Sequence, residues 1–168
     1  MNKKIHRNYL EINSIKDLKE SDEIKINCSI TLIDSNDFQI NKFFYKNIGK
    51  NHNWVDRLSW SEQQWIKHSK DQKLKTYIMK VNEDLAGYYE LIFHYEKKET
   101  EIAFLGLLEE YHNKKLGSYL LSSAIKNSFY NNEIKRTWVH TCSLDHKNAL
   151  YNYLARGMKI YKKETISI

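Results

Sequence analysis

A strand glutamate, a late tyrosine and a lysine-flanked loop are the residues of this 168-residue sequence whose types and spacing suit acid–base and anion chemistry. Glu101 opens the apolar run IAFLGLL, which passes through the polar link EEYHNKK to Leu116 and Gly117. Leu116, Tyr119, Leu120 and Ala124 then recur at helical spacing. Such a strand, link and helix leaves backbone N–H groups unpaired at the positive end of a helix dipole, which attracts anions. Lys114 and Lys115 would add to that attraction. A glutamate held in a cleft has a raised pKa and suits a general base. The phenol of Tyr153 suits a proton donor. Each residue also has a plain reading: a solvated strand-start glutamate, one tyrosine among twelve, and an ordinary lysine face.

His140, Cys142 and His146 form a cluster at the spacing of metal ligands, but a structural zinc needs a fourth ligand and the sequence has no C-x-x-C pair. No metal is expected, and Cys142 in an apolar strand reads as inert rather than nucleophilic. Trp54, Arg57 and Trp60 precede a helix that Ser61 can cap. Loop aromatics beside an arginine make either a recognition surface or a lid on the core.

The formal charge of +6 favours anionic partners in general. Basic and acidic residues are interspersed along the chain, so no nucleic-acid signature emerges and nucleic acid is not an expected partner. Two cysteines give no disulfide framework and point to a reduced, cytoplasmic setting. The basic start MNKKIHRNY lacks a following apolar run, and no window reaches transmembrane length, so no membrane partner is expected.

Residues 1–24 read as an N-terminal extension with a short strand at Tyr9–Ile12 and a helical turn near Ser14–Leu18; residues 25–168 read as a single domain. A first strand, 26–33, passes through the turn Asp34-Ser35-Asn36-Asp37 to a helix in which Phe38, Ile40, Phe43, Phe44 and Ile48 are spaced helically, with Gly49 as its stop. Segments 75–81, 85–95 and 100–108 form an antiparallel meander. A helix over 114–129, a strand over 136–142, a helix over 148–156 and strands over 158–161 and 165–168 complete a mixed three-layer α/β pattern.

Two stretches carry a resemblance to a known family. His112-Asn113-Lys114-Lys115-Leu116-Gly117 is similar to the signature Arg/Gln-x-x-Gly-x-Gly/Ala of the GCN5-related N-acetyltransferases, with the last glycine kept, His112 in place of Arg or Gln, and Lys115 in place of the first glycine. Asp145 to Met158 resembles that family's N-x-x-A-x-x-x-Y-x-x-x-G-F stretch, with His146 for Asn, Ala149, Tyr153 and Gly157 kept, and Met158 for Phe. The resemblance spans about residues 25 to 162. It implies a three-layer α/β/α acyl-CoA N-acyltransferase fold whose mixed sheet is splayed at its centre.

It further implies acetyl-CoA as acetyl-donor cosubstrate. Asn113, Lys115, Gly117 and Ser118 would cradle its pyrophosphate, with His112 an added donor and His146 and Asn148 nearby. A lysine at 115 is acceptable provided its backbone does not demand glycine. Main-chain atoms of Leu107 and Leu108 would meet the pantetheine arm. Glu101 falls where several members carry a general base, and Tyr153 falls on the tyrosine that serves the leaving sulfur. Transfer would be direct, to a primary amine. Phe44, Tyr45, Trp54, Arg57, Trp60, Tyr89 and His140 would shape the acceptor site, with Arg57 able to pair with an acceptor carboxylate. The first choice of acceptor is a small molecule, with a protein or peptide amine as the alternative. A non-catalytic acyl-CoA sensor and a homodimer also remain open.

Overall fold

A computed structural model describes residues 3–34 and 37–167. Met1, Asn2, Ser35, Asn36 and Ile168 lie outside the described residues, and with them part of the expected turn and the end of the last strand. Seven strands form one mixed sheet: β1 (Lys4–Ile12), β2 (Cys28–Leu32), β3 (Leu74–Val81), β4 (Asp84–His94), β5 (Glu99–Leu107), β6 (Arg136–Cys142) and β7 (Lys159–Ser167). Their spatial order is β2-β3-β4-β5-β6-β1-β7, and all neighbours are antiparallel except β5 and β6.

Alternation along the strands sends side chains to two cores. On one face α1 (Phe38–Gly49) packs Phe44 and Ile48 against Ile78, Tyr88 and Phe104. On the other, α3 (Leu116–Ser128) buries Leu116, Leu120, Leu121, Ala124 and Ile125 beside Leu91, Ile102 and Val139, and α4 (Ala149–Ala155) adds Tyr153. The expected three-layer α/β/α architecture is therefore present. None of the described helices is long and apolar enough to cross a membrane.

Residues 1–24 are not the appendage that the sequence suggests. Strand β1 runs from Lys4 and lies between β6 and β7 in the sheet. The chain after it is also tied down: the Lys19 N–H donates to the Arg156 carbonyl at 2.9 Å, and the Ser21 N–H to the Ser122 hydroxyl at 2.9 Å. Gly157, at φ +100°, makes this docking possible, because a Cβ there would stand 2.2 Å from the Asp17 carbonyl oxygen. Nor does the C-terminal stretch form two strands. Tyr9 pairs with Lys162 while Leu10 pairs with Ile160, so Tyr161 is an extra residue within one continuous β7. That bulge breaks the alternation that the sequence reading relies on.

Between α1 and α2 (Glu62–Ser69) the loop 50–61 is fixed by a buried ion pair. Arg57 Nη1 donates to both carboxylate oxygens of Glu90, at 3.1 and 2.9 Å, and the Arg57 N–H donates to the Tyr45 hydroxyl at 3.0 Å. Asn41 and His68 complete the shell around Glu90, at 2.7 and 3.2 Å. The guanidinium also lies over Phe104 at 4.5 Å and Trp60 at 4.9 Å. A capping box starts α2, with Ser61 accepting from the Gln64 N–H and Gln64 accepting from the Ser61 N–H.

Burial would raise the Glu90 carboxyl, but Arg57, His68 and Asn41 outweigh it and lower the pKa from the usual 4.5 to about 2. Arg57→Ala strands a buried carboxylate and is expected to cost about 3–5 kcal/mol in urea unfolding at neutral pH. A carboxyl depressed in the folded state contributes fully above its unfolded pKa and loses that contribution as pH falls through the folded one. Stability is therefore expected to fall between about pH 4.5 and 2, and Glu90→Gln to flatten that part of the stability–pH curve.

Candidate active site

The parallel contact of β5 with β6 is short: Glu99 with Arg136, Thr100 with Thr137 and Glu101 with Trp138. Beyond Glu101 the strands part. Ala103 is a bulged residue there, since Leu91 pairs with Ile102 and Glu90 with Phe104. Backbone groups of β5 that face β6 past this point have no ladder partner. The opening is a groove of about 1040 Å3, lined by the two parted strands, the loop before α3, the N-terminal part of α4 and the loop 52–60.

Glu101 sits where the groove closes, and its carboxylate is 3.1 Å from His94 Nε2. Tyr153 reaches the groove from α4 with only 8% of its surface exposed. Burial and the nearby Asp145 carboxylate raise its phenol well above 10, and among the described residues its hydroxyl has no hydrogen-bond partner. It is therefore protonated at neutral pH.

At the other end, Asn113, Lys115, Gly117 and Ser118 line the groove. The N–H groups from Asn113 to Gly117 have no acceptor among the described residues. Asn113 and Lys115 both have φ of +61°. The substituted lysine thus occupies the left-handed region that favours glycine, contrary to the proviso attached to it from sequence, at a cost of roughly 1–2 kcal/mol. Its carbonyl accepts the Ser118 hydroxyl at 2.9 Å. Gly117 is held by Asn152, which donates to its carbonyl at 3.1 Å, and a Cβ there would meet no atom closer than 3.9 Å.

Some expectations change at this end. His112 Nε2 lies 3.1 Å from the Leu107 carbonyl, so that nitrogen and that carbonyl are engaged within the fold. The Leu108 N–H donates to Ala86 O at 2.8 Å, and Leu108 packs in the core rather than lining the groove. His146 and Asn148 do line it. The His146 ring lies 5.1 Å from that of His112 and 6.3 Å from that of His52. Burial and the charges of His112, His52 and Lys147 lower its pKa. The sequence reading placed His112 and His146 near one another but not His52, which comes from a loop 60 residues before His112. Among the described residues no group of His, Cys, Asp and Glu is arranged to hold a metal.

Of the acceptor-site candidates, Tyr45, Trp54, Arg57, Trp60 and His140 border the groove. Trp54 stands on Phe104 at 4.7 Å, and Gly49 permits this because any Cβ there would come within 2.5 Å of the Trp54 Cβ. Arg57 is committed to Glu90 and is not the free cation foreseen for an acceptor carboxylate. Phe44 and Tyr89 are corrected to core residues. Phe44 stacks on Tyr88 at 4.9 Å, and Tyr89 is turned to α3, where Asn127 donates to its hydroxyl at 2.7 Å. Alternate strand residues face opposite ways, and the one-residue phase of β4 is invisible without the bulge. His140 opens onto the groove, and crowding by protein together with the Arg7 charge lowers its pKa. Arg7, Asp56 and Asn152 carried no sequence signal, since each comes to the groove beside residues distant in the chain, and His94 meets Glu101 only through the pairing of β4 with β5.

Residues 38–158 match the model of the Acetyltransferase (GNAT) family. No curated protein matches the chain. Among solved structures, a GCN5-related N-acetyltransferase from Kribbella flavida aligns with TM-score 0.68 at 12% identity, over 96% of this chain and 57% of that one. A conserved protein of unknown function from Staphylococcus epidermidis aligns with TM-score 0.65 at 18% identity, over 98% and 61%. An aminoglycoside acetyltransferase from an uncultured soil metagenomic sample aligns with TM-score 0.64 at 14% identity, over 80% and 90%. The chain spans about three-fifths of the first two structures, and likeness at these identities speaks for the fold alone. The family match across most of the sequence, on a sheet that parts beside a loop of unpaired N–H groups, means that the chain belongs to the GCN5-related N-acetyltransferase family.

Proposed function

We propose that this protein transfers acetyl from acetyl-CoA directly to the primary amine of a small molecule. The observation that carries the reading is that Glu101, Tyr153 and the unpaired N–H loop all border one groove opened by the parting of β5 from β6. Loop N–H groups 113–117, beside a Gly117 whose missing side chain leaves its backbone approachable, suit a diphosphate. Unpartnered backbone of β5 suits the amides of a pantetheine arm.

The Glu101 carboxylate takes a proton from the acceptor ammonium, directly or through one water, and the freed amine attacks the thioester carbonyl. The C–N bond forms, the C–S bond breaks, and the proton still to be lost from the attacking nitrogen passes to the departing thiolate or to water. A phenol held above its ordinary 10 is a weaker acid than a thiol near 8.5. Tyr153 accordingly serves the leaving sulfur as a hydrogen-bond donor rather than giving up its proton fully. The clamped loop with Trp54 and Trp60 walls the acceptor end, which favours a small molecule over a protein surface. The aminoglycoside acetyltransferase neighbour is a precedent for small acceptors on this fold.

Calorimetry is expected to give micromolar acetyl-CoA binding, roughly −8 kcal/mol. No saturable binding up to millimolar ligand would sink the proposal. In a thiol-release screen over an amine panel, Glu101→Gln and Tyr153→Phe should each lower kcat by about 10²–10⁴. Unchanged turnover in both would remove them from the chemistry. Gly117→Val is expected to leave the fold intact, because a Cβ there meets only Asn152 and Leu107 at an ordinary contact distance of 3.9 Å, while weakening acetyl-CoA at least tenfold. Equal affinity would show that no diphosphate approaches this backbone.

A further inference from the structure

The groove contains a second arginine that the family reading does not use. Arg7 lies on β1, opposite Cys142 of β6 and Glu164 of β7, and its side chain borders the groove near His140. Its Nη1 makes one long contact, donating to the Tyr9 hydroxyl at 3.4 Å. That hydroxyl in turn donates to Glu164 at 2.8 Å, and Glu164 is also paired with Lys162. The carboxylate opposite Arg7 on β7 feels its charge but is thus hydrogen-bonded and paired to two other groups. Among the described residues Arg7 forms no ion pair, and its Nε is buried without a partner. Arg57 has the opposite character, with its charge neutralised by Glu90.

Charge around His140 is divided. The charges of Glu101, Asp145 and Asp56 act on the ring in one sense and that of Arg7 in the other. Asp145 is spent on its own turn, accepting from the Thr141 hydroxyl and the Cys142 N–H. Glu101 and Asp56 remain as groove-lining acids suited to an ammonium. Arg7 is the cation suited to a carboxylate, which a guanidinium fork can bind through two parallel hydrogen bonds.

We infer that Arg7 is a specificity residue for the acceptor, which is a primary amine bearing a carboxylate at some distance from the nitrogen. This rests on the acetyl-transfer reading above for the position of the amine. Strand geometry sets the distance. Glu101 is level with Trp138, Cys142 lies four residues further along β6, and Arg7 is one strand beyond. At about 3.3 Å per residue and 4.8 Å per strand, the two Cα atoms are about 16 Å apart, and the side chains reduce the gap to the order of 10 Å. A free α-amino acid is too short to span it.

The test compares 8-aminooctanoate with 8-aminooctanamide, of equal length and differing in the anion, by calorimetric titration of the CoA-saturated protein. The wild type is expected to bind the carboxylate at least tenfold tighter. That ratio should fall toward one in Arg7→Gln and be partly retained in Arg7→Lys, with melting temperature confirming that both variants fold. Undetectable carboxylate binding, equal binding of the two ligands by the wild type, or an undiminished ratio in Arg7→Gln would each overturn the inference. So would a tenfold loss of acetyl-CoA affinity in Arg7→Gln, which would assign Arg7 to the cosubstrate. Because binding is read and not turnover, absence of acetylation with every amine would count against acetyl transfer while leaving the carboxylate preference measurable.

Discussion

Strands β5 and β6 are stapled at one end and free at the other. At the closed end Arg136 of β6 pairs with Glu99 of β5 and Glu11 of β1 on one face of the sheet. On the opposite face, Ser128 at the end of α3 accepts Thr100 through its carbonyl at 2.9 Å and meets the Thr137 hydroxyl at 2.6 Å. These are neighbouring rungs of the same three-residue ladder. Past Glu101, among the described residues, nothing comparable joins the strands, and β5 carries the Ala103 bulge. A sheet opened in this way leaves strand backbone unsatisfied, which is costly unless water or a ligand reaches it. The groove is the place where that requirement and the proposed chemistry meet.

The closed end and the open end ask for different side chains. Hydroxyls and a shared arginine make a rigid rung, so Glu101 is presented from a fixed backbone rather than from a loop. The open end is walled by long-range contacts instead. The Arg57–Glu90 pair is buried with aromatic rings on several sides, which makes it costly to break and gives the tryptophan loop one position. Lys115 in a left-handed conformation and a loop of unpaired N–H groups are locally unfavourable. Such features persist where the surrounding fold over-determines them and where a ligand repays them.

Several parts of this arrangement were readable in the chain itself. Helical spacing of Leu116, Leu120 and Ala124 after a polar link announced α3, and the meander of β3, β4 and β5 followed from alternation between short turns. Ser61 marked the start of α2, where in the fold it forms a capping box with Gln64. The pairing of Glu101 with Tyr153 as chemical partners came from motif resemblance, which composition and periodicity did not supply. Strand β1 was missed in its first half because Lys4 to Asn8 mixes charged and polar residues around Ile5, and a strand flanked on both sides gains its stability from neighbours rather than from its own pattern.

Local sequence therefore determined the order and kind of most elements, since spacing and capping act within a few residues. It also determined the loop that leads into α3, since a strand running into a helix through lysines has its own physical signature. Tertiary structure alone decided which faces met. Phe44 and Tyr89 went to the core, Arg57 was neutralised by Glu90, and Arg7, Asp56 and His140 came to border one groove. The reason is that register, bulges and charge pairing join residues tens of positions apart. A side chain's availability for chemistry depends on whether such a partner has already claimed it.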